Sequence, residues 1–131
     1  MFTIEQINNA HSRGTSGADF PRYVQDIIKL GVTGFEVFVN DGHTLYFGDE
    51  GFKIQSGESY PPLEVMDYTN KDQFLLDLRA TQQGKTDFLT FCSDCAKSGV
   101  ARWIVNLSKM TCTYYNKVGN EILVETIPVP R

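Results

Sequence analysis

Long apolar runs are absent from this sequence: no stretch approaches the about 18 apolar residues that a membrane-spanning helix needs. Glu5, Gln6, Asn8 and Asn9 leave no room near the start for a signal-peptide core. A cytoplasmic location without membrane contact is the expectation. Positive charge is scarce too, with 12 Lys plus Arg against 16 Asp plus Glu and a net charge of −4. Nucleic-acid affinity rests largely on neutralising phosphates, and no basic stripe exists here to do so, so nucleic acid is not an expected partner. The three cysteines are an odd number without framework spacing, which fits reduced thiols better than a disulfide scaffold. Histidine is limited to His11 and His43, which restricts any nucleophile–base pairing to two positions.

What is present is an ordinary globular composition, 41% hydrophobic and 12% aromatic over 131 residues, enough for one domain to bury its own core. The sequence also repeats itself. Shifted by 68 positions without gaps, Asp19–Ile54 falls on Asp87–Ile122 with ten identities in 36. Among them are Phe20/Phe88, Gly31/Gly99, Val37/Val105, Tyr46/Tyr114 and Gly51/Gly119, with Phe35/Trp103 and Phe47/Tyr115 as similar pairs. Matched glycines at matched element ends argue for two copies of one unit, 1–55 and 69–127, joined by a connector over 56–68 within a single domain.

The local signals agree with that division. Thr3-Ile4-Glu5-Gln6 has capping-box spacing, predicting a helix from about Ile4 to Arg13 that ends at Gly14-Thr15-Ser16-Gly17. Asp19-Phe20-Pro21 opens a second helix that Gly31 stops. From Val32 the apolar period becomes two, and Asn40-Asp41-Gly42-His43 marks a hairpin. Pairing Asn40 with His43 would set Phe38 opposite Leu45, Glu36 opposite Phe47, and Val37 opposite Tyr46. A third strand is expected near Phe52–Gln55, and Ser56–Pro62 reads as a connector, with an extended piece at Leu63–Met66. Thr69-Asn70 caps a third helix, Lys71–Gln83, and Thr86-Asp87 starts a fourth that ends before Gly99. Strands Val100–Leu107, Met110–Asn116 and Glu121–Ile127 complete the second unit, with Leu107 expected opposite Cys112 and Val105 opposite Tyr114. The fold class is α+β: an α-α-β-β-β unit twice, giving a mostly antiparallel sheet of about six strands packed against helices, or else two three-stranded layers.

Three motifs invite a chemical reading. Cys92-Ser93-Asp94-Cys95 has redox spacing, but both thiols fall on the apolar stripe of the fourth helix with Phe88 and Phe91, and buried packing explains them better. A zinc version would enlist Cys112 and His11 or His43, without the second paired motif such sites use. Gly84-Lys85-Thr86 ends like a phosphate-binding loop, yet Arg79 stands where its first Gly belongs and a helix leads in, so a helix cap is expected. His43 has Thr111 as its repeat counterpart and follows a turn, where a solvated polar residue is ordinary. No cofactor, metal or catalytic residue is assigned.

A broader candidate is the outer face of the sheet. It gathers Glu36, Phe38, His43 and Leu45 from one unit and Arg102, Ile104, Thr113 and Tyr115 from the other, with Asn40, Phe47, Asn106 and Thr111 beside them. A mixed surface of this size, left uncovered, suits a small ligand, a protein partner or a second copy in a homodimer.

At Asp41-Gly42-His43-Thr44, Gly84-Lys85-Thr86-Asp87, Phe91-Cys92, Gly99-Val100, Trp103 and Met110–Tyr115 the chain resembles the YbcV-like family of small bacterial and prophage proteins. The resemblance covers most of the length and is densest from Gly84 to Tyr115. Members carry the label phage envelope protein or are domains of unknown function, so it implies a bacterial or prophage setting and no activity, cofactor or catalytic residue. The expected function is a non-enzymatic binding or interaction module. The alternatives are a small enzyme using Cys92, Cys95 or His43, and a phage-associated structural protein.

Overall fold

A computed structural model describes residues 2–11 and 20–128, apart from the His11 side chain. The expected turn at Gly14–Gly17, Arg13 and the Asp19 cap lie outside the described residues. Helices α1 (Ile4–His11) and α2 (Phe20–Leu30) precede strands β1 (Gly34–Phe38), β2 (Thr44–Phe47) and β3 (Lys53–Gln55). Helices α3 (Lys71–Gln82) and α4 (Phe88–Lys97) then precede β4 (Arg102–Asn106), β5 (Thr111–Tyr115) and β6 (Glu121–Thr126).

The helices begin and end where local chemistry dictates. The capping box closes in both directions: the Thr3 amide donates to Gln6 Oε1 at 2.9 Å and the Gln6 amide to Thr3 Oγ1 at 3.2 Å. Asn70 and Asp87 accept the amides of Gln73 (3.1 Å) and Thr90 (2.8 Å) at the starts of α3 and α4. Gly84, with φ +77°, lies just past α3, a helix stop rather than a phosphate cradle. Past α4, the Val100 amide reaches back to the Cys95 carbonyl at 2.8 Å and Gly99 takes φ +79°. The end of α2 repeats this with Val32, Ile27 and Gly31.

The strands form one six-stranded sheet in the order β3-β2-β1-β4-β5-β6, each neighbouring pair antiparallel. Two separate layers are thereby excluded. At the centre β1 meets β4 with Glu36 opposite Ile104, two positions that are 68 residues apart. Adding 68 to each partner of the β1–β2 ladder yields the β4–β5 ladder: Phe35↔Tyr46 becomes Trp103↔Tyr114, and Val37↔Thr44 becomes Val105↔Cys112. The outermost pairing departs from this by one residue, at an irregularity between Tyr114 and Tyr115.

The hairpin registers correct the sequence-based pairing. Glu36 faces Leu45, not Phe47, and Val105 faces Cys112, not Tyr114. The slip is two residues in each half, so the assignment of faces survives, whereas a slip of one would have inverted it. The cause is long-range. The Val39 amide bonds the Ala101 carbonyl (2.9 Å) and the Leu107 amide bonds Thr33 (3.0 Å), which ties both residues to the neighbouring central strand instead of across their own hairpin. The first turn then closes one step earlier, through the Gly42 amide to the Phe38 carbonyl at 2.8 Å.

All four helices lie against one face. Phe35, Val37, Tyr46, Trp103, Val105, Cys112 and Tyr114 alternate inward and are buried, while their strand neighbours, apart from the buried Gly34, are part-exposed. Phe20 and Tyr23 of α2 meet Phe35, Phe88 and Phe91 of α4 meet Trp103, and Phe74 of α3 meets Tyr114 edge-on at 4.9 Å. The connector has no regular structure. It is held at the β1–β2 turn by Ser59 and Leu63 amides bonding Asp41 and Asn40, and Leu63–Met66 forms no strand.

Candidate functional site

The outer face assembles the eight residues selected from sequence into two adjacent rows. His43, just before β2, then Phe38, Arg102 and Tyr115 of β1, β4 and β5 succeed one another, and Leu45, Glu36, Ile104 and Thr113 form the next row. All are part-exposed. The groups satisfy one another: Arg102 bonds Glu36 at 2.6 Å and lies over the Tyr115 ring at 4.4 Å, and His43 stacks on Phe38 at 4.3 Å. Asp41 accepts from the His43 amide at 3.0 Å and contacts its ring Nδ1 at 2.5 Å. Burial works against the Asp41 charge, but these bonds outweigh it and hold the carboxyl below its ordinary pKa.

The inner face holds a cavity of about 480 Å³ between the sheet and the helices. Its lining includes Phe35, Tyr46, Trp103 and Tyr114 of the sheet, Phe20 and Tyr23 of α2, and Phe88 and Phe91 of α4. Eight aromatic residues therefore surround it, and they fall into pairs 68 positions apart: Phe20/Phe88, Tyr23/Phe91, Phe35/Trp103 and Tyr46/Tyr114. Thr44 and Cys112 add a fifth such pair. The phenols are polar points in this apolar space. Burial pushes the phenols of Tyr23, Tyr46 and Tyr114 above their ordinary range, so they remain protonated. At the rim, Glu125 accepts from Arg79 Nη1 (2.8 Å) and Gln82 Nε2 (2.9 Å), while Glu58 is exposed.

The sequence marks Phe88 and Phe91 as a buried helix stripe and Phe35/Trp103 and Tyr46/Tyr114 as repeat pairs, but local spacing does not reveal a cavity among them. The signal was available in the match of bulky ring to bulky ring across the repeat, at more positions than helix-on-sheet packing alone requires.

The thiols are structural. Cys92 and Cys95 are fully buried and Cys112 nearly so, and all three are free. Burial raises the Cys92 thiol to about 11 and Cys112 to about 12, with Cys95 also well above the usual value. None is a ready nucleophile near neutral pH. Cys92 contacts the Tyr60 hydroxyl, which donates to the Val39 carbonyl at 2.5 Å. Among the described residues no three His, Cys, Asp or Glu side chains come together in a metal-binding group. His43 stands on the outer face, across the sheet from the inward-facing Cys112. Among the described residues no helix is long and apolar enough to cross a membrane.

Fold and cavity together define an α+β protein with one antiparallel sheet and an aromatic cleft beneath its helices. The chain belongs to the family described as protein of unknown function (DUF1398), whose profile matches residues 8–126. It is similar to the uncharacterized protein Mb2035 of Mycobacterium bovis and to the uncharacterized proteins MT2067 and Rv2012 of Mycobacterium tuberculosis. Identity to each is 28% over 100 residues, covering 73% of this chain and 59% of the relative. The chain therefore spans less than two thirds of the length of these relatives.

Proposed function

We propose that the protein is a non-enzymatic module that binds a small, largely apolar ligand in the cleft between its sheet and helices. One observation carries this reading: a cavity of about 480 Å³ walled by eight aromatic residues, a size and lining typical of small-molecule sites. Trp103, the single tryptophan, lines the cavity and serves as the reporter. Titration with the uncharged dye N-phenyl-1-naphthylamine is expected to change Trp103 emission saturably at one dye per chain. Leu78→Phe, which narrows the cavity without adding a second tryptophan, is expected to abolish or sharply weaken the change while leaving the far-ultraviolet circular dichroism intact. A linear, non-saturating response of the unsubstituted protein overturns the proposal.

The two outer rows are proposed as a second contact surface, for another copy of the chain. The favouring observation is that Phe38, Leu45 and Ile104 lie part-exposed beside a Glu36–Arg102 pair that already neutralises itself. Sedimentation that shifts with concentration, and that Ile104→Arg abolishes, supports it. A monomer at every concentration removes it.

We further propose that the two units, 1–55 and 69–127, arose by duplication and act as a single domain, which the shared hairpin registers support. We also propose, from the resemblance to the YbcV-like proteins, a bacterial or prophage setting, and, from the absence of long apolar runs in the sequence, a cytoplasmic location.

A further inference from the structure

We propose that the cleft selects a lipophilic cation: a ligand with an aromatic or bulky apolar body whose positive charge is delocalised or shielded by carbon substituents. The inference rests on the cleft being a ligand site and adds the sign and character of the charge.

The first argument is the lining. Two aromatic clusters face the space, one built from Phe20, Tyr23 and Phe35 with centroids 6.4 Å apart, the other from Phe88, Phe91 and Trp103 at 5.5 to 6.4 Å. Ring faces carry partial negative charge and attract cations, most strongly where water is excluded. The phenols of Tyr23, Tyr46 and Tyr114 stay neutral, so they add ring surface and hydroxyls without a formal charge of their own.

The second argument is charge. Glu58 and Glu125 line the cleft, and no Lys, Arg or His does so among the described residues. Arg79 answers Glu125 from outside, through a side chain that is 53% exposed. Even with that pair set aside, Glu58 leaves the described part of the rim negative. An anionic ligand would meet acidic groups and ring faces with no described lining cation to receive it.

The third argument selects the kind of cation. A compact ammonium is strongly hydrated and loses much on entering an apolar space, whereas a shielded or delocalised cation loses far less. The cleft has the volume for such a body, and its apolar lining matches one.

A matched pair of probes tests the sign directly. Tetraphenylphosphonium and tetraphenylborate share size and shape and differ in charge, and both can be followed by Trp103 emission and calorimetry on the intact protein. The cation is expected to bind at least tenfold more tightly than the anion. That ratio should shrink severalfold in Glu58→Gln, a rim substitution that leaves the buried packing untouched, and further when Glu125→Gln is added. Equal affinities, or tighter binding of the borate, overturn the cation preference while leaving the cleft as a ligand site. Binding of both ions that Leu78→Phe does not weaken places them elsewhere and overturns both readings. So does binding of neither ion when N-phenyl-1-naphthylamine also fails to bind.

Discussion

Gly99 has little freedom to change. Its φ of +79° is a left-handed conformation that side chains disfavour, and a Cβ there would lie 2.0 Å from the Tyr68 carbonyl oxygen. Gly99→Ala is expected to cost about 3 kcal/mol or more, combining backbone strain with a clash against main chain, read from urea unfolding midpoints. The buried thiols make a second prediction. With Cys92 raised to about 11 and Cys112 to about 12, the folded state keeps protons that unfolded thiols release from roughly pH 9. Stability contributed by these thiols is fully present below that pH and is lost as pH rises toward 11 to 12. The expected slope is about 1.4 kcal/mol per pH unit for each such thiol. Urea midpoints between pH 7 and 10.5 should fall only above about 9. The same burial should make reaction with a thiol reagent at pH 8 slow until urea is added, and fast native labelling would contradict it.

At the scale of elements, the ends were the most readable feature. Thr3 with Gln6, Asn70 and Asp87 are local signals acting within one turn, and each forms the bond its spacing implied. Thr3→Ala should therefore cost about 1 kcal/mol, seen as a lower thermal midpoint. The pairing of strands was less readable. Asn40-Asp41-Gly42-His43 favours a tight hairpin, yet Val39 and Leu107 are buried and bonded to the opposite half, which moves both ladders by two residues. Across the central β1–β4 seam, Arg102 joins Glu36 at 2.6 Å in a part-buried setting. A double-mutant cycle with Arg102→Ala and Glu36→Ala is expected to show coupling of about 1 kcal/mol. A coupling indistinguishable from zero would mean that the pair merely coexists.

At the scale of the whole molecule, neither half has enough to stand alone. Each contributes three strands and two helices, and the seam between β1 and β4 is what makes one sheet of them. Fragments 1–62 and 63–131 are expected to be unfolded separately by circular dichroism and to regain helix and sheet signal when mixed. Independent folding of either fragment would contradict this. The cavity belongs to the same scale, since its walls come from both halves. Phe20, Tyr23, Phe88 and Phe91 were visible in sequence only as apolar helix positions, because whether facing rings touch or leave a gap depends on how two helix pairs are spaced over one sheet.

The sequence by itself determined the order of helices and strands, their caps, the inward and outward alternation, and the burial of the Cys92-Ser93-Asp94-Cys95 thiols, all properties of short spacings. Only the tertiary structure decided the hairpin registers, the joining of six strands into one sheet, and the opening of an aromatic cleft beneath it. Those follow from contacts between residues 60 or more positions apart, such as Val39 with Ala101, whose free energy no local window contains.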